Sequence, residues 1–298
     1  MINKKKKGEM TTEQIVLLII LIVSFAIILF FLVRLNLGKT TEQETCHNSV
    51  VTRAAGVLPK DSIPLNCQTQ HVCITKDGSC EVLTNAYTEK AKTKTEVYSI
   101  LANLMADCWW MFGEGKLNYV KDQVKENLYC SICYQFAFDN SVDFFENDEI
   151  DEKEFYTYLS KTNLSDGETS YLYYLTELND VSSVEKLLKD NSKDFGKISI
   201  SKYQYIVMGI MSEIGVGAWF GTGVAVGVGI AVAVVTGGAS IPLTVAILGG
   251  ATVGGAAGYF AGTTIKGESG QEFLTPTIVE AESEKFKALK CDRIKTLG

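Results

Sequence analysis

The pattern of apolar and polar positions divides the chain into three stretches. The first is an uncharged apolar run from Ile15 to Val33, in which only Ser24 interrupts the hydrophobicity. A helix needs about 20 such residues to cross the hydrocarbon core of a bilayer, so residues 1–37 are predicted to hold a basic segment and a transmembrane anchor. Because Lys4–Lys7 precede the run and such basic flanks stay in the cytoplasm, we expect a cell-membrane protein with a cytoplasmic N-terminus and an extracytoplasmic main domain. A cleaved signal peptide is the alternative, but no small-x-small cleavage site follows the run.

The second stretch alternates between helical and strand-like patterns. Apolar residues recur at i, i+3 and i+4 between residues 89 and 112, which predicts a helix. Alternation from Leu128 to Phe138 predicts a strand, with Cys130, Ile132, Tyr134, Phe136 and Phe138 on one face. Asp77-Gly78 predicts a β-hairpin over residues 70–84. We therefore expect residues 38–205 to form one extracytoplasmic α+β domain.

The third stretch is rich in glycine, alanine and valine and is uncharged from Ile214 to Ile265. Its two halves are each long enough to span a bilayer, so residues 206–265 are predicted to form a transmembrane helical hairpin, with a hairpin buried in protein as the alternative. Residues 266–298 are predicted to form an amphipathic helical tail outside the membrane. Glycines at intervals of four allow close helix packing, and the predicted packing residues are Gly217, Gly221, Gly223, Gly227, Gly250, Gly254, Gly258 and Gly262.

Eight cysteines follow the apolar run, and an even number in an oxidising compartment indicates a disulfide framework. Buried free thiols and zinc ligands are the alternatives. The disulfide candidates are Cys46, Cys67, Cys73, Cys80, Cys108, Cys130, Cys133 and Cys291. The predicted fold class is therefore α+β, with an N-terminal transmembrane helix, a disulfide-braced mixed ectodomain and a glycine-rich transmembrane helical hairpin.

Local geometry restricts some of the pairings. Cys73 lies directly opposite Cys80 only if the predicted hairpin has a four-residue loop; otherwise both cysteines need other partners, of which Cys67 is the nearest. The Cys-x-x-Cys spacing of Cys130 and Cys133 is also that of a thioredoxin-like redox motif. A spacing of three on a strand, however, sends the two side chains to opposite faces. We therefore expect them to pair separately, with Cys108 as the first partner.

Charge and motifs exclude several function classes. The chain carries −7, and because residues 1–37 carry +3, the remainder carries −10, which argues against nucleic-acid binding. We find no catalytic triad, phosphate-binding loop or zinc-protease helix, and we expect no cofactor, no metal and no enzymatic activity. His47 and His71 are interpreted as structural or surface residues. Asn163-Leu164-Ser165 fits an N-glycosylation acceptor.

The N-terminus resembles the archaeal class III signal peptides and type IV prepilins. The resemblance rests on Lys7-Gly8 as the cut, Glu9 as position one, Thr11 as position three and Glu13 as position five. It covers about 25 residues and implies cleavage after Gly8 with retention of the apolar helix. It also implies that Glu13 pairs with the amino terminus of a neighbouring subunit during assembly. The other interpretation is an ordinary signal anchor, in which Thr11, Thr12 and Glu13 cap the helix.

Two further resemblances cover the rest of the chain. The segments around Cys46, Asp107–Lys116 and Cys130 resemble uncharacterised archaeal membrane proteins, and the glycine spacing resembles glycine-zipper membrane segments. We expect a membrane-anchored cell-surface protein with a structural, binding or assembly role, whose partners are the lipid bilayer and a homo-oligomer or surface assembly. The alternatives are a pore-forming protein that uses residues 214–265 and an extracytoplasmic thiol oxidoreductase.

Overall fold

The structure is a computed structural model with two compact units, Met1–Glu44 and Thr45–Gly298. It describes residues 12–34, 37–56, 63–120, 128–178, 181–182, 185, 195–211, 229–235, 242–249, 259–266, 271–289 and 291–293.

The first unit contains helix α1, Thr12–Arg34. Its apolar side chains from Ile15 to Ile28 are exposed all round the helix. In the described part of the chain, no helix combines the length and the apolar character that a membrane crossing requires. The predicted transmembrane anchor is therefore wrong. The run was marginal in length, because 19 residues at 1.5 Å per residue rise about 28 Å against a hydrocarbon core of ~30 Å.

The second unit is built on a mixed nine-stranded sheet in the order β2-β1-β3-β6-β10-β9-β8-β7, with β11 also paired to β3. The strands are β1 Gln70–Thr75, β2 Tyr87–Lys90, β3 Leu128–Phe138, β6 Gln204–Met211, β7 Gly229–Val235, β8 Pro242–Gly249, β9 Tyr259–Lys266, β10 Glu272–Glu280 and β11 Asp292–Arg293. A separate pair consists of β4 Glu149–Asp151 and β5 Lys197–Ser199. Strands β1 and β11 both run parallel to β3, whereas β6 runs antiparallel to it.

Helices cover one face of this sheet. They are α3 Lys94–Met111, α4 Glu152–Lys161 and α5 Tyr171–Thr176, and helix α2 Leu37–Ala54 precedes the sheet in the chain. Helix α3 packs on β3, β6 and β10, and its buried side chains join the larger hydrophobic core. Thr93 caps it by accepting a hydrogen bond from the Glu96 N–H, and Gly113 follows its end with φ of +81°. The predicted helix over residues 89–112 is confirmed with a later start, because residues 87–90 form β2.

The opposite face of the sheet carries a smaller hydrophobic cluster. It is covered by the short helix α6, Glu284–Ala288, which packs on β10. Its buried members are Leu128, Cys130, Val207, Met211, Leu274, Val279 and Leu289. The sheet is therefore apolar on both faces, which explains why its central strands contain few polar residues.

The central strand β3 confirms the predicted strand at Leu128–Phe138. A bulge between Ile132 and Tyr134 interrupts its register with β6. Cys130 consequently lies in the smaller cluster, whereas Tyr134 and Phe136 lie in the larger core on the other face. The prediction that these alternate residues share one face is wrong, because the extra residue of the bulge shifts the alternation by one.

The predicted helical hairpin over residues 206–265 is wrong. Strands β7, β8 and β9 form an antiparallel meander there. Glycine costs about 1 kcal/mol relative to alanine in a helix interior, and valine, isoleucine and threonine favour strands. Antiparallel pairing of these strands also satisfies their backbone N–H and C=O groups with one another.

Two further predictions are corrected. The predicted β-hairpin over residues 70–84 is wrong, because β1 pairs in parallel with β2 after an irregular loop. Asp77 closes only a local turn there: its carboxylate accepts hydrogen bonds from the Ser79 N–H and hydroxyl. In its described residues, the predicted helical tail over residues 266–298 contains the sheet strands β10 and β11 and, as helix, the five-residue α6.

Candidate functional site

All eight cysteines form disulfides, which confirms the predicted framework. The bridges are Cys46–Cys67, Cys73–Cys80, Cys108–Cys133 and Cys130–Cys291. The predicted pairing of Cys108 with a cysteine of β3 is confirmed. Of the two alternatives left open for Cys73 and Cys80, the direct bridge is the one that forms. It closes the loop after β1 rather than a hairpin.

Strand β3 separates its two cysteines. Cys133 lies at the bulge and bridges to α3 through Cys108, with 5.6 Å between the two Cα atoms. Cys130 bridges to Cys291, next to β11, with a Cα–Cα distance of 5.3 Å. The two bridges therefore fasten β3 to a helix on one side and to the C-terminal segment on the other. A redox motif would pair the two cysteines with each other, and this strand does not.

Three of the four disulfides border one small cavity of about 150 Å³. Met111, Phe112 and Ile132 form apolar walls, while Gln68, Thr69 and Ser131 supply polar groups. Thr69 Oγ1 donates to the Ile132 carbonyl at 2.9 Å. The Ser131 hydroxyl is buried and finds no hydrogen-bond partner among the described residues. At ~30 Å³ per water molecule, the cavity has room for a few waters.

A larger cavity of about 380 Å³ lies where β3 ends and β6 begins. Its polar lining includes Asp139, Asp143, Asp148 and Lys202. The carboxylate of Asp139 accepts hydrogen bonds from the N–H groups of Ser141 and Glu81. These bonds, that from Ser141 foremost, hold the pKa of Asp139 below its ordinary value, although burial opposes them. The residue is therefore a carboxylate anchored by the backbone.

A second of the three acids at this cavity, Asp143, is neutralised from outside it. Lys76 donates to Asp143 at 2.7 Å, and this hydrogen bond lowers the pKa of Asp143. Among the described residues, no group of histidine, cysteine and acidic side chains is arranged to hold a metal ion. Sequence reasoning missed this cavity, although the polar Asp139 that directly follows a predicted strand is a signal that could have indicated its position.

His47 belongs to α2, and its side chain lies against the C-terminal end of α3. Its ring stacks on Trp110 with a centroid distance of 4.2 Å, and Nδ1 donates to the Trp110 carbonyl at 2.8 Å. Because a carbonyl only accepts, the proton lies on Nδ1 in this arrangement. Nearby, Glu114 accepts hydrogen bonds from Tyr174 and Lys116. His47 therefore adds a side-chain donor to a carbonyl of the last turn of α3, which also accepts from the N–H groups of Phe112 and Gly113.

The remaining predicted residues fall partly outside the described structure. Gly8 and Glu9 lie outside the described residues, and Glu13 lies in α1 with a side chain that is not described. Of the predicted packing glycines, Gly262 lies in β9, where a helix face does not exist. The others, Gly217, Gly221, Gly223, Gly227, Gly250, Gly254 and Gly258, lie outside the described residues.

Comparison with known proteins gives no relative for this arrangement. No protein family, no curated protein and no solved structure matches the chain.

Proposed function

We propose that the protein is a surface protein of an oxidising, extracytoplasmic compartment, with a structural, binding or assembly role, and that it contacts a lipid bilayer through α1. The observation that carries this proposal is the pairing of all eight cysteines in four disulfides. Reducing systems keep thiols free in the cytosol of most cells, and disulfides persist mainly outside it.

The surface of α1 supports the lipid contact. Large apolar side chains are exposed on every side of the helix; Leu17, Ile20 and Phe25 are each more than 60% exposed. Exposed apolar surface of this extent is uncommon on a protein that has no partner for it, and it loses its unfavourable contact with water when it lies against the apolar part of a lipid surface. Lys4–Lys7 precede the helix in the sequence and supply charge that attracts anionic headgroups.

The two other functions considered from the sequence have less support. A thiol oxidoreductase needs two cysteines that exchange one disulfide, and Cys130 and Cys133 belong to different bridges. A pore formed by a helical hairpin over residues 214–265 loses its structural basis, because the described parts of that segment are strands.

The compartment is tested in cells of the native host. Free thiols are blocked with N-ethylmaleimide at lysis, and the denatured protein is then reduced and labelled with a polyethylene glycol maleimide. The proposal predicts labelling of all eight cysteines after reduction and of none without it. Eight thiols already blocked before reduction would contradict the extracytoplasmic assignment.

The lipid contact is tested by flotation of the purified full chain with liposomes of mixed anionic and neutral phospholipids. Leu21→Glu combined with Phe25→Glu places two charges on exposed positions of α1 and should abolish flotation. The matched control is Val51→Glu, which changes an exposed apolar residue of α2 and should leave flotation unchanged. Equal flotation of the α1 variant and the wild type would refute the lipid contact.

A further inference from the structure

We infer that Asn163 is a site of N-linked glycosylation, an inference that rests on the proposed extracytoplasmic location. Asn163-Leu164-Ser165 has the required hydroxyl two residues after the asparagine and no proline between. In the whole sequence no other asparagine has serine or threonine at that position. Asn48, Asn140 and Asn191 are each followed by serine, but the next residue is valine or lysine.

The fold presents this sequence on a surface loop. Residues 162–170 connect α4 to α5, and both Asn163 and Ser165 are exposed. Between them, Leu164 turns inward and packs against the larger hydrophobic core. Asn163 and Ser165, the two residues that define the motif, are therefore accessible to a transferase, while Leu164 between them holds the loop on the core.

The loop has a defined shape that does not depend on the Asn163 side chain. The Leu164 N–H donates to the Thr169 carbonyl at 2.8 Å, and the Gly167 N–H donates to the Leu164 carbonyl at 2.9 Å. The carboxylate of Asp166 accepts hydrogen bonds from the N–H groups of Glu168 and Thr169. A modified Asn163 would leave all of these bonds in place.

The carboxamide of Asn163 points along the surface. Its Nδ2 donates to the Gly167 carbonyl at 2.7 Å in an exposed hydrogen bond, which water can replace. A side chain built at Gly167 would meet nothing within 4 Å, so the space beside the acceptor is open. A glycan can therefore project from Asn163 without displacing packed side chains.

The modification needs a lipid-phosphate-linked oligosaccharide as donor and an external transferase. Nδ2 of Asn163 bonds to the anomeric carbon of the sugar, and the bond from that carbon to the phosphate oxygen breaks. The lipid phosphate leaves with the electron pair, and Nδ2 gives one proton to a base of the transferase. No group of this chain reacts other than the carboxamide.

The test is mass spectrometry of the full chain purified from membranes of its native host. The tryptic peptide of residues 162–186 contains Asn163 and also Asn179, which lacks the motif and serves as an internal control. We expect a mass increment that fragments into sugar residues and localises to Asn163. Asn163→Gln and Ser165→Ala should each abolish it, Ser165→Thr should retain it, and the control Asn140→Gln should leave it unchanged.

The outcomes separate this inference from the proposed function. An unmodified peptide from protein whose eight cysteines are all oxidised would overturn the glycosylation and leave the proposed location standing. An unmodified peptide from protein with eight free thiols would overturn both. A sugar that persists in Asn163→Gln, on a serine or threonine of the same peptide, would also overturn the assignment to Asn163.

Discussion

The disulfides of the second unit should differ in their contribution to stability according to the length of chain they close. Cys130–Cys291 spans a sequence separation of 161, whereas Cys73–Cys80 spans 7. Replacing both cysteines of one bridge by alanine removes one cross-link and leaves the other three. Comparing the two double variants therefore tests how the length of the closed loop affects the free energy of unfolding, for bridges that start from β1 and β3 of the same sheet.

The magnitude follows from the chain entropy that each bridge removes from the unfolded state. That treatment gives about 5 kcal/mol for the Cys130–Cys291 bridge and about 2.4 kcal/mol for Cys73–Cys80. The constant in the expression cancels in the difference, which is about 2.8 kcal/mol. None of the other bridges connects two points within residues 130–291, so the long loop is not shortened by another cross-link.

The assay is urea unfolding of the full chain in detergent, followed by tryptophan fluorescence. Trp109 and Trp110 of α3 are two of the three tryptophans of the chain. We expect Cys130→Ala with Cys291→Ala to lower the free energy of unfolding by about 3 kcal/mol more than Cys73→Ala with Cys80→Ala. Both variants must keep a single cooperative transition for the comparison to apply. Equal losses, or a larger loss for the Cys73–Cys80 pair, would refute the loop-length reasoning.

Substitutions at three further positions test local features of the fold. Gly209→Ala would place Cβ 2.7 Å from Leu128 Cδ1, and we expect urea unfolding to show a loss of about 1–3 kcal/mol. Asp151→Ala removes the side chain that accepts the Glu154 N–H at the start of α4 and should cost about 1 kcal/mol, whereas Asp151→Asn should retain most of it. Because the pKa of Asp139 is lowered on folding, its carboxylate stabilises the fold above the unfolded pKa of 3.8, and this stability disappears as pH falls through the folded pKa. Asp139→Asn should therefore be less stable than wild type at pH 7, and the difference should shrink below pH 4 in acid-unfolding curves.

The sequence predicted the parts of the fold that depend on local pattern. Strand β3 has a strong alternation of apolar residues and was predicted with its observed bounds, and the α3 period was equally clear. The separate pairing of Cys130 and Cys133 followed from strand geometry alone. The bulge at Cys133 was not predictable, because it is defined by the register with β6, which lies more than 60 residues away in the chain.

The glycine-rich segment shows why composition misled the prediction. Its runs of valine, alanine and glycine are uncharged and long enough for membrane helices, and their glycine spacing fits helix packing. The same residue types also favour antiparallel strands, and β9 pairs with β10 in the sheet. Whether the segment forms helices or strands depends on its pairing with a strand elsewhere in the chain. The pattern of a single sequence does not show which strands pair.

The candidate sites were less predictable than the fold. The cavity bordered by three disulfides forms only when Cys46 of α2, residues 67–69, the end of α3 and β3 meet, although its cysteines were all identified from the sequence. The role of His47 at the end of α3 also had no local signal, because Trp110 lies 63 residues away. The glycosylation motif is the exception, since it is a contiguous sequence whose exposure the fold supplies.

Disulfide mapping of the non-reduced native protein by mass spectrometry tests the fold and the proposed compartment together. We expect four bridges, Cys46–Cys67, Cys73–Cys80, Cys108–Cys133 and Cys130–Cys291, and no free thiol. A Cys130–Cys133 bridge would instead support a redox motif on β3. Free thiols at most of the eight positions would contradict the disulfide-braced extracytoplasmic domain on which the proposed function depends.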